Sequence, residues 1–198
     1  MSEITPTRAA VLELKDEQRA MHEGYVFLDE KCLLLAGEML RQLASHAELE
    51  SRLQAAHEAA MAALQAALAR HGLEGLQVQP AAGPGDSRVV RESRSLMGVT
   101  LQEAAWSAAE EPAAPAVNPS PEARTCRAAF DALLAAAVPL AAVTGNLERL
   151  SQEYRRSVRR ARALQDVLLP ELGRSIHGIE TRLEELEQEE AVLMRRRA

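Results

Sequence analysis

The sequence predicts an all-α fold: an elongated antiparallel two-helix coiled coil with a small β-hairpin head at the bend. Two long runs carry apolar residues at heptad spacing, and a short segment between them combines β-branched residues with turn residues. Aromatic residues make up only 3% of the 198 residues, too few for a large packed core. A compact helical bundle is the alternative. It requires frequent helix breaks, and no proline lies between Pro6 and His71.

The first long helix is predicted over residues 6–71. Its apolar positions keep one register over eight heptads, a pattern typical of a helix whose seam faces another helix. Thr5 followed by Pro6 indicates the start of this helix, and Gly72 indicates its end. The main seam residues are Leu14, Met21, Leu28, Leu35, Leu49 and Leu53.

The second long helix is predicted over residues 121–197, opened by Ser120 as cap and by Pro121. Its seam contains a few extra steps of four, which relax a supercoil locally without ending it. Pro170 predicts a kink, because proline removes one helical hydrogen bond. The seam residues on this side are Leu164, Leu168, Leu172, Ile176, Ile179 and Leu183.

An antiparallel pairing with Pro6 opposite the C-terminus sets an expected register. It places Leu28 and Leu35 against residues 168–176, and Cys32 near residue 171. The two cysteines, Cys32 and Cys126, are then too far apart for a disulfide. This fits a chain that stays in a reducing cytosol.

The segment between the helices divides into two parts. Residues 73–107 contain short β-branched runs and glycine turns, which predict a small head with a short β-hairpin. Residues 108–120 are rich in proline and alanine and are predicted to be a linker. The hairpin residues singled out are Met97, Gly98, Val99 and Leu101.

Composition and motifs argue against several functions. The net charge of −6 argues against a nucleic-acid partner. We find no segment apolar enough for direct membrane insertion, no phosphate-binding glycine loop, and no histidine spacing for a metal site, so no cofactor is expected. An enzyme built on residues 73–119 is disfavoured because the segment is short. Residues 148–162 carry six arginines and residues 171–190 seven glutamates, either as solvated faces or as docking surfaces.

Three separated blocks carry a family resemblance. They are Pro6-Thr7-Arg8 with Gly24 and Lys31, then Met97-Gly98-Val99 with Leu101, and finally Arg159-Arg160, Ala163-Leu164, Leu169-Pro170, Ile176 and Ile179. In these blocks the sequence resembles the D subunit of the V-type rotary ATPases of vacuolar, archaeal and bacterial membranes. The third block is the most specific, and together the three span nearly the whole chain.

The resemblance implies a non-catalytic rotor axle that transmits torque between an ATPase head and an ion-translocating membrane ring. Its implied partners are the catalytic and regulatory subunits of the head, the F subunit and the membrane-ring connector subunit. It also implies a cytoplasmic position, peripheral to the membrane, and a curved axle bent at Pro170. Contacts with the head ring are expected at Glu189, Glu190, Met194, Arg195 and Arg196. The alternative is a coiled-coil scaffold or adaptor unrelated to ATPases.

Overall fold

The computed structural model describes residues 6–79, 88–107 and 119–197. These residues form helix α1, strands β1 and β2, helix α2, one π-helical turn and helix α3. Their bounds are Arg8–Gln77 for α1, Arg88–Leu96 for β1, Val99–Ser107 for β2, Pro121–Ala163 for α2, Leu164–Leu168 for the π-turn and Leu169–Arg197 for α3. The prediction of an all-α coiled coil with one small antiparallel hairpin is confirmed.

The start of α1 is capped by Thr7, whose Oγ1 accepts a hydrogen bond from the Ala10 N–H at 3.1 Å. The expected cap, Thr5, lies outside the described residues. Near its other end α1 is interrupted at Gly72, which has φ 65° and ψ 175°. Glycine reaches this left-handed region without a side-chain clash, so the helix is interrupted at the residue where the sequence predicts its end. Helical structure nevertheless resumes and continues to Gln77.

The start of α2 is capped by Ser120, as predicted. Its Oγ accepts a hydrogen bond from the Ala123 N–H at 3.1 Å. The same oxygen lies 2.6 Å from Nε2 of His71 at the far end of α1. One serine therefore caps α2 and ties its first turn to α1.

The chain divides into two compact units. The first comprises Met1–Leu34 and Glu153–Ala198, and the second comprises Leu35–Gln152. In the first unit the core is formed by Val11, Ile176 and Ile179, with Leu14 and Leu183 packed against it. Residues from the start of α1 therefore pack against α3.

Ion pairs in the first unit show that its helices run antiparallel. As residue numbers rise along α1, those of the partners fall. The pairs are Arg8–Glu187 at 2.6 Å, Lys15–Glu180 at 2.7 Å and Lys31–Glu153 at 2.7 Å. Only Lys31 and Glu153 are mostly shielded from water, with 14% and 20% of their side-chain surfaces exposed.

This pairing corrects the register expected from the sequence. Lys31 contacts Glu153, so Cys32 and its neighbours do not lie near residue 171. A Cβ on Gly24 would lie 3.9 Å from Leu164, which agrees with the shifted register and excludes Leu28 packing on residues 168–176. The reason is that the helix ends are not flush. Arg8, the first residue of α1, pairs with Glu187, so α3 continues beyond it for almost three turns.

The second unit also pairs its helices antiparallel. Arg70 Nε lies 3.8 Å from a carboxylate oxygen of Glu122. Further along, Asn146 Nδ2 donates to Gln42 Oε1 at 3.4 Å. Fully buried residues of the unit include Leu35, Ala60, Ala67 and Leu150. Alanines at the seam allow two helices to approach closely where a thick core is absent.

The predicted seam residues of α1 are all buried or half-buried. On the other side Leu164, Leu172, Ile176, Ile179 and Leu183 are also buried or half-buried, but Leu168 is 38% exposed. The π-turn explains this difference, because it closes hydrogen bonds from residue i to i+5 and so adds one residue to the turn. The extra residue rotates Leu168 outwards, and Leu169 is half-buried instead.

The π-turn also changes the interpretation of Pro170. A proline ring clashes with the carbonyl four residues earlier, here that of Asp166. In the π-turn the Leu169 N–H bonds to the Leu164 carbonyl, five residues back, so the chain is widened just before the proline. The local irregularity is therefore an inserted residue that makes room for Pro170. A second proline, Pro139, lies inside α2.

One sequence expectation about membranes needs correction. The helical stretch Pro121–Arg197 contains an 18-residue window of mean hydropathy 1.7, which is long and apolar enough to cross a membrane by length and composition alone. The apolar run lies at residues 128–143, where Asp131 is the only charged residue. Much of the run is alanine, a residue that suits close packing of helices as well as an apolar environment. The hydropathy of the run is therefore easily overlooked in the sequence.

Candidate functional site

The hairpin turns at Met97 and Gly98, which have φ values of 49° and 84°. Two successive residues with positive φ are typical of the type I′ turn, whose twist matches that of the flanking strands. Glycine is suited to this conformation, but methionine is strained in it by about 1–2 kcal/mol. Past the turn Val99 and Leu101 are buried, at 7% and 1% exposure. They form the face of the hairpin that is turned away from water.

The side chain of an asparagine on α2 forms hydrogen bonds with the main chain of strand β2. Asn146 is 2% exposed. Its Oδ1 accepts from the Gln102 N–H at 2.8 Å, and its Nδ2 donates to the Gln102 carbonyl at 2.8 Å. The amide thus imitates a neighbouring strand. Its orientation is set by the main-chain N–H, which can only donate.

Arg149 lies one helical turn further along α2 and strengthens this attachment. Its Nε donates to the Thr100 carbonyl at 2.9 Å, and its Nη2 donates to Asn146 Oδ1 at 2.7 Å. The second bond orients the asparagine for Gln102. Two residues of β2, Thr100 and Gln102, are therefore bonded to α2 through their main-chain groups.

Strand β1 is attached to α1 through a buried carboxylate. Glu38 is fully buried and accepts from Arg94 of β1 at 2.6 Å and from Gln42 at 2.9 Å, and it also pairs with Arg41. Burial favours the neutral acid and raises its pKa. The hydrogen bonds from Gln42 and Arg94, with the charges of Arg94 and Arg41, outweigh burial, so the pKa of Glu38 lies below the ordinary value of 4.5.

We call Glu38, Gln42, Arg94, Asn146 and Arg149 the hairpin clamp. Gln42 joins its two halves, because it contacts both Glu38 and Asn146. The clamp holds the hairpin to α1 and α2 within the second unit, about thirty residues along each helix from the contact between His71 and Ser120. This refines the expected head at the bend, since the hairpin is attached along the helices.

The hairpin clamp was not predicted from the sequence. Asn146 follows Gly145 inside a helix, and both residue types are poor helix formers, so this dipeptide was a signal that something else uses the position. Glu38 gave no comparable signal, because a glutamate beside a seam is ordinarily solvated. The six-arginine run does contribute one clamp residue, Arg149.

The last turns of α3 form the second candidate site. From Glu184 to Arg197 every residue is exposed, and the residues that follow Glu187 extend past Arg8, the first residue of α1. Glu189, Glu190, Arg195 and Arg196 are therefore placed in water, and Met194 is 74% exposed. Leu186, Val192 and Leu193, at 47%, 51% and 53%, add exposed apolar surface.

Helix α1 also exposes large apolar side chains away from its seam. In the first unit Val26 and Leu33 stand seven residues apart on one face, at 42% and 70% exposure. Phe27 and Leu34 repeat this spacing on an adjacent face, at 55% and 51%. Residues seven apart share a helix face, so these pairs form apolar stripes rather than scattered side chains.

The described parts of the chain contain no group of three or more His, Cys, Asp or Glu side chains that could hold a metal ion. Both cysteines are buried and unpaired. Burial raises the pKa of the Cys32 thiol, which keeps it protonated and unreactive at neutral pH.

The fold and these sites define an antiparallel coiled-coil protein with a side-chain-clamped hairpin and a solvent-exposed helical end. The sequence profile of the ATP synthase D subunit matches residues 10–197. The chain therefore belongs to the D-subunit family of ATP synthases.

Curated relatives match over nearly the whole chain. The D subunit of the V-type ATP synthase of Thermotoga neapolitana is 27% identical over 98% of this chain and 96% of its own length. The D subunit of the A-type ATP synthase of Methanoregula boonei is 24% identical over 99% of this chain and 96% of its own length. The D subunit of the V-type ATP synthase of Deinococcus radiodurans is 28% identical over 94% and 84% respectively.

Proposed function

We propose that this chain is the central rotor shaft of a V-type or A-type rotary ATP synthase, and that it has no catalytic residues of its own. The observation that carries the proposal is the end of α3, which continues past α1 with every side chain in water. An amphipathic helix end with exposed Leu193 and Met194 is suited to contacts inside a surrounding protein ring. Its relatives are named as D subunits of ATP synthases, so the ring that we propose is the head of such a complex.

A shaft has to carry torque, and the described contacts suit this demand. Antiparallel helices cross-linked by ion pairs and buried seams resist unwinding better than a single helix. At the ring end, contacts should be shallow so that the shaft can turn. Exposed charges such as Glu189 and Arg195 meet this requirement, because exposed ion pairs contribute at most about 1 kcal/mol each.

The remaining surfaces are proposed as binding sites for subunits that turn with the shaft. The apolar stripes of α1, Val26 with Leu33 and Phe27 with Leu34, are the proposed surface for the F subunit. The apolar run of α2 is proposed to face the membrane-ring connector and not the lipid. In the second unit α2 is bound to α1 on either side of that run, through Glu122 and Asn146, which supports a peripheral, cytoplasmic position.

Truncation of α3 tests the proposal. A chain ending at Glu190 should still fold and assemble, because residues 191–197 are exposed and, within the described residues, no hydrogen bond or ion pair joins them to α1. In the assembled complex ATP hydrolysis should continue, whereas ions pumped per ATP hydrolysed should fall. A matched control is Glu48→Ala with Arg52→Ala, which removes an exposed pair on the surface of α1.

Two outcomes would contradict the proposal. Equal hydrolysis and equal pumping for both chains would show that the α3 end carries no torque. Failure of the full-length chain to join an ATPase head would favour a coiled-coil scaffold unrelated to ATPases.

A further inference from the structure

The two edges of the hairpin differ in how their main-chain groups are used. The register pairs Leu96 with Val99 across the two-residue turn, so these two exchange hydrogen bonds, and bonded pairs recur at every second residue. In β2, Thr100 and Gln102 therefore direct their N–H and C=O groups away from β1. In β1 the residues that face away from β2 are Val89, Arg91, Ser93 and Ser95.

Near the turn, the outer edge of β2 is closed by the hairpin clamp. Asn146 bonds both main-chain groups of Gln102, and Arg149 bonds the carbonyl of Thr100. These bonds also verify the alternation, since they reach the residues that the register turns outwards. The clamp therefore blocks the addition of a strand at Thr100 and Gln102 of β2, whereas it forms no hydrogen bond with the main chain of β1.

The outer edge of β1 is open to solvent. Residues 88–95 are all exposed, and no hydrogen bond from the described parts of the chain reaches their main chain except from β2. The clamp binds β1 only through the side chain of Arg94, so it forms no hydrogen bond with the main-chain groups at the outer edge of β1. An unpaired strand edge that is held rigid is a template for another strand.

The side chains along this edge indicate the charge of the strand that fits. Val89 and Val90 are 45% and 42% exposed, which suits β-branched neighbours. Arg88 and Arg91 are exposed and form no ion pair within the described residues, whereas Arg94 is held by Glu38. The only acid of β1 is Glu92, so the free charge of the edge is positive.

We propose that the open edge of β1 binds an extended, acidic segment of a partner protein as a third strand. A second copy of this chain is a poor occupant, because its β1 edge carries the same free positive charge. An acidic strand satisfies both the main-chain groups and the arginines. This inference does not depend on the function proposed above, since it concerns the isolated chain.

Hydrogen exchange with a defined peptide tests the inference. The probe is an acetylated, amidated peptide of sequence TEVEVET, added to the full chain, with the lysine peptide TKVKVKT as its matched control. The acidic peptide should slow exchange of the outward amides, such as those of Arg91 and Ser93. It should leave amides already bonded to β2, such as that of Glu92, unchanged. The lysine peptide should give no such pattern.

Two variants separate main-chain pairing from charge attraction. Ser93→Pro removes an outward N–H while the β1–β2 hydrogen bonds remain, because proline is tolerated on the free side of an edge strand. It should weaken peptide binding about tenfold or more, and Ser93→Ala should leave it within about twofold. Arg88→Glu with Arg91→Glu keeps the main chain intact and should reverse the preference in favour of TKVKVKT.

Several results would overturn the proposal. They are protection of helical amides in place of β1, equal binding of both peptides, unchanged binding by the charge-reversed chain, and no protection at millimolar peptide. Protection of β1 that rises with protein concentration in the absence of peptide would assign the edge to a second copy of the chain.

Discussion

A single buried amide, Asn146, supplies two of the three hydrogen bonds by which the main chain of β2 is held to α2; Arg149 supplies the third. We expect Asn146→Leu to release this strand, because two main-chain groups lose their partners in a site too closed for water to replace them. The loss should be about 1–3 kcal/mol of local stability, measured as faster amide exchange at Gln102 and its neighbours. Glu148→Leu, at an exposed position of the same helix, should leave exchange unchanged. Equal rates in both variants would show that the amide does not hold the strand.

Glu38 makes the attachment of β1 dependent on pH. Its pKa is lowered in the folded chain, so the ionised form is stabilised by folding. A depressed pKa contributes stability that is complete above the unfolded value of about 4.5 and is lost as pH falls through the folded pKa. Chemical denaturation should therefore show stability falling below about pH 4.5. Glu38→Gln should reduce that slope, leaving the part due to Glu153, whose pKa Lys31 also lowers. An unchanged slope would contradict the assignment.

Individual residues show where sequence reasoning reached its limit. The seam leucines could be predicted because their spacing repeats. Asn146 and Glu38 could not, because their partners Gln102 and Arg94 lie 44 and 56 residues away, and no local pattern encodes such contacts. A buried carboxylate is recognised only when the cation that neutralises it is known.

At the level of elements, the π-turn keeps the apolar faces of α2 and α3 on the same side, so that both are turned towards α1. If residues 164–168 hold one inserted residue, removing it should restore an unbroken α-helix with Ile176 and Ile179 still buried. We therefore expect deletion of Gln165, combined with Pro170→Ala, to retain full helicity and to lower stability by no more than about 1 kcal/mol. Circular dichroism and urea denaturation would measure both.

Deletion of Arg174 is the matched control for this prediction. Arg174 is exposed and lies in regular helix, where losing one residue rotates everything after it by about 100° relative to α1. That rotation should expose Ile176 or Ile179 at a cost of about 2–5 kcal/mol. If both deletions lower the stability by the same amount, the π-turn does not determine which face of α3 is turned towards α1.

The elements themselves were largely predictable. Long apolar repeats gave both helices, and the Ser120-Pro121 cap gave the start of α2. The phase slip at Leu168 was not predictable, because a π-turn and a stutter both appear as an extra step of four in the sequence. Met97 and Gly98 were assigned to the hairpin, but their turn conformation was not predicted, since methionine at positive φ is uncommon.

For the molecule as a whole, antiparallel pairing followed from the two seams, but its register did not. Heptad seams of leucine and alanine accept several registers that differ by whole turns, and flush ends were the simplest choice. Specific ion pairs select one of them. Lys31 and Glu153 are the most shielded of the pairs that join the helices of the first unit, so they should contribute most to this selection.

A charge-swap series tests the register directly. Lys31→Glu should lower stability by about 1–3 kcal/mol, because it places two carboxylates together in a site with little water. Adding Glu153→Lys should restore part of that loss. Recovery is incomplete because Arg156 and Arg160 also lie near position 153 and repel a lysine there. Urea denaturation at neutral pH measures all three chains.

The flush register supplies the discriminating control. It would bring Lys31 close to residue 171, so Lys31→Glu should then be rescued by Glu171→Lys and not by Glu153→Lys. The observed contact at 2.7 Å demands the opposite result. The same swap at the exposed pair, Lys15→Glu with Glu180→Lys, should change stability little in either step, because water screens both charges. Rescue at position 171 would return the helices to flush ends, and α3 would then have no exposed end with which to enter a ring.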